Sequence, residues 1–438
     1  MPSETIIFSL PEKRFLNALL LGIVLPLADA TALNTALPAL GVSFPAAPLA
    51  WLVVAYLLAA VAAVPLSAAL GQGLGEVRLW RACLLLFALS SAVAAVANSF
   101  AVLLAARVGQ GVAAGLMQPL LQTLCARVMP SEKLRPALTA LAVPAVIAPI
   151  AAPLLASALL KVGSWHWIFA VNVPLCAWAL VWSRCIPALS ANPAWDFDGW
   201  GYVCLAPALV LLVYAVQQAA WQPEPLIAGA VGLMLGGLFV IHAKRQGERA
   251  LVRLDLLRLS AFRRELSLLF WAAFNYYGGI LLLPILWTNA HHDVAWIGIL
   301  LAAHGIGTLI ARRYLERLAQ RWGERRLLSL AASAVLLSSL ALLFPLNTAS
   351  ALALMSLRGS GVGLLSIMPM AALYRTINAE HRAQASLLSR LATQFAAAFG
   401  SALAALAVSQ PMVSIGLFAV SGVLMWVQIW QGEKTKAA

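Results

Sequence analysis

Apolar residues in this chain form runs far longer than one face of a soluble helix requires. A helix crossing the hydrocarbon core of a bilayer needs about 20 mostly apolar residues, each rising 1.5 Å. Charges, prolines and polar clusters divide the chain into fourteen such runs. They predict spanning helices over Phe15 to Ala39, Trp51 to Leu70, Leu79 to Ala97, Phe100 to Leu124, Ala137 to Leu159, Trp167 to Ile186 and Gly199 to Ala219. The remainder fall over Leu226 to Ile241, Leu266 to Trp287, Val294 to Ala311, Leu327 to Leu346, Ala349 to Leu373, Leu387 to Val408 and Val413 to Ile429.

Charge tests that count, because Lys and Arg concentrate in alternate, cytoplasmic loops of a membrane protein. Of 29 Lys and Arg, Lys161 alone falls in a predicted outer loop, and Arg107 and Arg358 fall deep inside spans; the other 26 lie in loops, tails or span edges on the side of both termini. A miscount of one span would scramble this pattern. Both termini are therefore predicted to be cytoplasmic. The densest basic stretches, Lys244 to Arg264 and Arg312 to Arg326, read as cytoplasmic linkers that meet anionic lipid headgroups.

Composition agrees. The 438 residues are 62% hydrophobic and 10% charged, against about 45–50% and about 25% in soluble domains. A soluble globular protein is excluded. The net charge of +13 is dispersed through short breaks instead of forming a patch, which argues against a nucleic-acid partner. Cys83, Cys125, Cys176, Cys185 and Cys204 lack paired or metal-ligand spacing and read as small buried apolar residues. Glu4, Glu12, Lys13 and Arg14 precede a first run without a small-residue cleavage site, so that run reads as a retained span. No P-loop, metal site or cofactor motif stands out.

Duplicated helical units are common among membrane transport proteins, and two recurrences point to one here. Gly75-Glu76-Val77-Arg78-Leu79 matches Gly323-Glu324-Arg325-Arg326-Leu327, 248 positions on. Gly111-Val112 with Pro119 matches Gly361-Val362 with Pro369, 250 positions on. The implied organisation is an N-terminal six-helix bundle (1–187), two inserted transmembrane helices (188–243), a cytoplasmic basic linker (244–264) and a C-terminal six-helix bundle (265–438).

Ionisable residues deep in a span are costly and mark functional candidates. Of the 16 Asp and Glu, only Asp29 lies deep in a run; Arg107, Arg358 and His304 are the other embedded ionisable residues. Helix rise places Asp29 roughly 9 Å and Arg107 about 10 Å from the outer face. An Asp29–Arg107 ion pair is therefore expected, either a proton-responsive pair or a static clamp. His304 and Arg358 come out about 13 to 15 Å below the outer face, near the midplane, with no acidic partner in the sequence. His304 is a second candidate for proton handling. Arg358 should face a wet cavity, pair with helix carbonyls or meet an anionic part of a substrate. Asn34, Gln110, Gln118, Trp271, Asn275, Tyr276 and Tyr277 are cavity candidates beside Arg358, although each could equally join helices.

Leu27-Ala28-Asp29-Ala30-Thr31-Ala32-Leu33-Asn34-Thr35-Ala36-Leu37-Pro38 resembles the first-span signature of major facilitator superfamily drug:proton antiporters with fourteen spans. Arg107-Val108-Gly109-Gln110-Gly111 with Gly115, Gln118 and Pro119 is similar to the fourth-span signature. Trp165-His166-Trp167-Ile168-Phe169 with Asn172, Val173 and Pro174 resembles the opening of span six, and Asp196-Phe197-Asp198-Gly199 the lead into span seven. The resemblance implies an all-α membrane protein of the major facilitator fold, two six-helix bundles plus two inserted helices. It also implies proton-driven export by alternating access at a bacterial inner membrane, with Asp29 and Arg107 at the embedded charged positions. The loop after span two, with Gln72, Gly75, Glu76 and Arg78, corresponds to the family's gating loop. There Gln72 replaces the usual acidic residue and the basic cluster is reduced. Span five has Ala148-Pro149-Ile150-Ala151-Ala152 where the antiporters have glycines.

The leading functional expectation is a secondary active exporter of small amphipathic compounds, with protons and membrane lipid as further partners, in monomeric form. A periplasmic adaptor is an additional partner to consider. Unpaired Arg358 tilts the expected cargo toward neutral or anionic metabolites such as siderophores. A membrane enzyme would need clustered catalytic groups, for which His291-His292-Asp293 is the sole candidate and an ordinary surface loop the plainer reading. A non-transporting membrane sensor would keep the same topology.

Overall fold

The computed structural model describes residues 8–45, 47–187, 189, 197–218, 223–289, 296–408 and 410–431. Among them there are sixteen α-helices and no strand. The first eight are α1 (Leu10–Ser43), α2 (Ala50–Ala63), α3 (Leu66–Leu74), α4 (Glu76–Ala95), α5 (Phe100–Val128), α6 (Ser131–Val162), α7 (His166–Ala170) and α8 (Asn172–Trp182). Then come α9 (Gly199–Gln218) and α10 (Pro223–Gln246). The last six are α11 (Ser260–Asn289), α12 (Ile297–Trp322), α13 (Glu324–Leu340), α14 (Thr348–Arg375), α15 (Arg382–Ala405) and α16 (Pro411–Gln431).

Every apolar run read from the sequence coincides with a helix or with a broken helix, α2–α3 and α7–α8. Among the described residues ten helices are long and apolar enough to cross a membrane, eleven if α2 and α3, bent by 57°, count as one crossing. α6, α12 and α15 stand outside that set. α12 carries His304 and Arg312, and α15 carries Arg390 and Gln394, so their polarity lowers the apolar score. Helix starts follow local chemistry: Ser9 and Glu12 form a reciprocal capping box at α1, and Asn347 and Ser350 do so at α14. Of the cysteines, Cys185 is exposed, contrary to the expectation that all five are buried.

Helices α1–α8 pack chiefly on one another, as do α11–α16; α9 and α10 pair together, with α9 against α2 and α15. Only 17% of the apolar window of α10 is buried, because this helix is apolar nearly all round and has little protein beside it.

The duplication is visible in backbone detail. Gly75 and Gly323 both adopt positive φ (87° and 79°) immediately before α4 and α13, a conformation in which a Cβ would be strained. Glu76 pairs with Arg127, and 248 positions later Glu324 pairs with Arg375. A Cβ on Gly111 would lie 2.3 Å from the Tyr56 carbonyl oxygen, and one on Gly359 would lie 2.0 Å from that of His304. Tyr56 and His304 are again 248 apart. The match of Gly111 with Gly361 is thereby corrected: its geometric counterpart is Gly359. Glycines alternate at 359, 361 and 363, so a dipeptide match could not choose between registers.

Asp198 ties α9 and α10 to the segment that follows them. Its carboxylate accepts from Gly201 N–H (2.8 Å), His242 Nε2 (2.8 Å) and Leu251 N–H (2.9 Å). Burial opposes its charge, but the Leu251 and Gly201 amides and His242 outweigh this and hold the carboxyl below its ordinary value. A depressed carboxyl contributes stability above the ordinary value, about 3.9, and loses it as pH falls through the depressed one. Amide exchange at Leu251 is expected to accelerate at least about tenfold in Asp198→Asn at neutral pH, since a hydrogen bond to a charged group is worth ~1.5–3 kcal/mol. The native protein should show the same acceleration only in acid.

Candidate functional site

Asp29, 3% exposed, and Arg107, 1% exposed, meet inside the first group of helices. The depth estimate from helix rise thus matches the contact. The carboxylate has two further donors, Asn172 Nδ2 at 2.8 Å and Gln110 Nε2 at 3.2 Å. Arg107 also donates to Gln110 Oε1 (2.7 Å) and the Leu52 carbonyl (3.1 Å), and its guanidinium lies 4.3 Å from the Tyr56 ring centroid. One carboxylate therefore ties α1, α5 and α8 together, and its arginine adds α2. Asn172 was legible only as part of the span-six resemblance.

The second group repeats this arrangement without an acid. Arg358 donates to Ser339 Oγ (2.9 Å) and Asn275 Oδ1 (3.1 Å), where Gln110 donates to Ser91 (2.8 Å) in the first group. Asn275 in turn donates to Ser421 (2.8 Å) and the Trp271 carbonyl (2.9 Å). Arg358, 2% exposed, is thus held by neutral oxygens inside the helix group. It does not line the central cavity, and the tilt toward anionic cargo loses this support. His304 packs by Tyr276 with ring centroids 5.6 Å apart. It belongs to this second cluster, apart from Asp29 and Arg107.

A cavity of about 320 Å³ lies where the two groups meet. Gln118, Tyr276 and Tyr277 line it, as read from the sequence. Gln122, Arg312, Ser366, Arg390 and Thr393 also line it, and none of these was singled out. Arg312 and Arg390 had been counted with the cytoplasmic charges near span ends. Helix-face spacing was an available signal, since Gln122 follows Gln118, and Thr393 follows Arg390, at one-turn intervals. The other cavity candidates lie elsewhere. Asn34 is exposed, Gln110 and Asn275 are committed to the two polar clusters, and Trp271 packs edge-on against Phe270 and Phe274.

Side-chain hydrogen bonds draw the two groups together on the side of the basic stretches. Arg135 donates to Glu316 (2.7 Å) and Glu324 (2.6 Å), Ser389 to Gln122 (3.2 Å), and Arg382 to the Ala126 carbonyl. Arg312 adds a bond to the Ala142 carbonyl at 2.9 Å. These are the side-chain hydrogen bonds joining the two groups among the described residues. In the loop between α3 and α4 and beside it, Glu76 is engaged by Arg127, Arg78 is exposed and Gln72 half-buried. A larger cavity of about 510 Å³ sits within the second group, where its charged residues are paired already, Arg264 with Glu265 and Arg375 with Glu324. His291, His292 and Asp293 lie outside the described residues.

Two duplicated helical groups around a polar cavity, with embedded charges and long apolar helices, define a multi-pass membrane transport protein. The Major Facilitator Superfamily model matches residues 19–401, and the chain belongs to that family; it is a transporter, not an enzyme. Relatives include MdtD of Shigella boydii serotype 4 (strain Sb227), provisionally named a multidrug resistance protein, 29% identical over 72% of this chain and 68% of the relative. MdtD of Salmonella typhi is 30% identical over 72% and 69%. A transport protein named HsrA from Haemophilus influenzae (strain ATCC 51907 / DSM 11121 / KW20 / Rd) is 28% identical over 71% and 68%. Among solved structures, the human organic anion transporter MFSD10 shares the fold at 16% identity and TM-score 0.67, covering 96% of this chain and all (100%) of that one. The proton:xylose symporter XylE does so at 13% identity and TM-score 0.66, covering 96% and 95%.

Proposed function

We propose that the chain is a secondary active exporter of small amphipathic compounds, driven by inward proton movement through alternating access. The observation that carries this reading is the buried Asp29–Arg107 pair with its ties to Gln110 and Asn172. Protonation would remove the carboxylate's charge and weaken its hold on Arg107, freeing α1 to move against α5 and α8. In the second group the embedded arginine, Arg358, bonds to an amide, Asn275, and that bond does not depend on the proton supply. Relatives named for multidrug resistance support the cargo class. His304 is a second proton-handling candidate, because its ring lies beside Tyr276 of the cavity.

In this reading the polypeptide makes fourteen crossings, with six-helix bundles at 1–187 and 265–438, both termini in the cytoplasm and the cell inner membrane as its site. The bonded basic end then corresponds to an outward-facing state, with Gln72, Gly75, Glu76 and Arg78 at the closed gate. In everted vesicles holding a preformed pH gradient, cationic, neutral and anionic amphipaths would be added in turn. At least one is expected to collapse the gradient, and Asn at position 29 (Asp29→Asn) to abolish the response. Full-rate exchange in Asp29→Asn would make the pair a static clamp. A panel that moves no protons would count against antiport.

A further inference from the structure

We infer that the cavity between the two helix groups takes an amphipathic organic anion, whose acidic head is held by Arg312 and Arg390. This inference rests on the transporter reading and names the charge class of its cargo.

The cavity lining contains two arginines and no aspartate or glutamate. Arg390 lies eight residues into α15, about 12 Å from its first residue, and is half-buried. Among the described residues its guanidinium makes no ion pair and no hydrogen bond, and its Nε is buried without a partner. An embedded cation left without counter-charge is expensive. A bound carboxylate, sulfonate or phosphate would supply the missing charge.

Arg312 is held differently. Nη1 donates to the Ala142 carbonyl (2.9 Å) and Nη2 to Ser366 Oγ (3.1 Å), which fixes its plane without neutralising it. Planar guanidinium groups suit two-oxygen acids. The remaining wall is apolar or aromatic at Leu269, Ala272, Tyr276 and Tyr277, and suits a hydrophobic body. Asp29 does not offset these charges, because Arg107 already pairs with it and it borders a separate apolar pocket of about 220 Å³ between α1, α6 and α8. A permanent cation entering the central cavity would meet two like charges, which works as discrimination by repulsion.

The test uses three ligands with one aromatic body: 1-naphthylacetate, 1-naphthylacetamide and (1-naphthylmethyl)trimethylammonium. Binding to the full-length purified chain is read by isothermal titration in uncharged detergent. The anion is expected to bind at least about tenfold tighter than the cation. Arg390→Gln should erase this preference while leaving the amide's affinity unchanged, and Arg390→Lys should restore part of it. Arg390 is chosen because Arg312 also braces the two groups. Competition by lysophosphatidylglycerol would assign the site to a lipid anion, and its absence to a free solute. Tighter binding of the cation, an unchanged preference in a well-folded Arg390→Gln, or no binding of any ligand would overturn the inference. Efflux from proteoliposomes separates the two readings. An anion bound selectively but not carried would remove the transport reading alone, and carriage without charge preference would remove only the anion site.

Discussion

Arg107→Met is expected to destabilise the protein by about 3–5 kcal/mol at neutral pH, the usual cost of breaking a buried ion pair from one side. The companion change Asp29→Asn should differ in its pH response. After Arg107→Met, the stranded group is a carboxyl, which can shed its charge by binding a proton while Gln110 and Asn172 still bond to it. After Asp29→Asn, the stranded group is a guanidinium, which does not deprotonate in this range. Between neutral pH and the ordinary carboxyl value, about 3.9, thermal unfolding in detergent should therefore show the Arg107→Met deficit shrinking as pH falls and the Asp29→Asn deficit staying constant. The double change Asp29→Leu with Arg107→Met should cost less than either single change, because no buried charge is left. Equal deficits at every pH would show that charge is not what the pair contributes.

Gly359→Ala is expected to be the most damaging small substitution in the second group. Its methyl would stand 2.0 Å from the His304 carbonyl oxygen, an atom fixed in the backbone of α12. Helices α12 and α14 would have to separate, and overpacking of this kind costs about 1–3 kcal/mol, occasionally more. Gly111→Ala should behave alike against the Tyr56 carbonyl, at 2.3 Å. Gly236→Ala is the control. Nothing lies within 4 Å of its added carbon, so the better helix propensity of alanine, worth about 1 kcal/mol, should slightly raise stability. Melting temperature and the fraction eluting as a single species would measure all three.

Asp29 was legible because a carboxylate inside an apolar run stands out against its neighbours, and one turn-counting argument placed Arg107 at its depth. Arg390 escaped notice for the opposite reason. It falls near a span end, where arginine is ordinary, and only the packing of α15 against the first group turns it toward the cavity. Arg358 stood out as an embedded charge, yet its neutral partners Asn275 and Ser339 come from two other helices. Gly75 and Gly323 revealed the duplication because a positive-φ turn leaves an invariant chemical need at both places. The tandem glycines of α14 gave the wrong register, since sequence similarity there does not record which carbonyl each one approaches.

The sequence by itself determined that the chain lives in a membrane, which runs become helices and that one carboxylate is embedded. These follow from the transfer cost of single residues into hydrocarbon, a property of each run alone. Only the tertiary structure decided which polar groups meet, that Arg358 bonds within its own group and that Arg312 and Arg390 face a shared cavity. In lipid a helix can be apolar on every side, so its hydrophobic pattern does not fix its rotation about its own axis. That rotation is set by small-residue contacts and hydrogen bonds between helices.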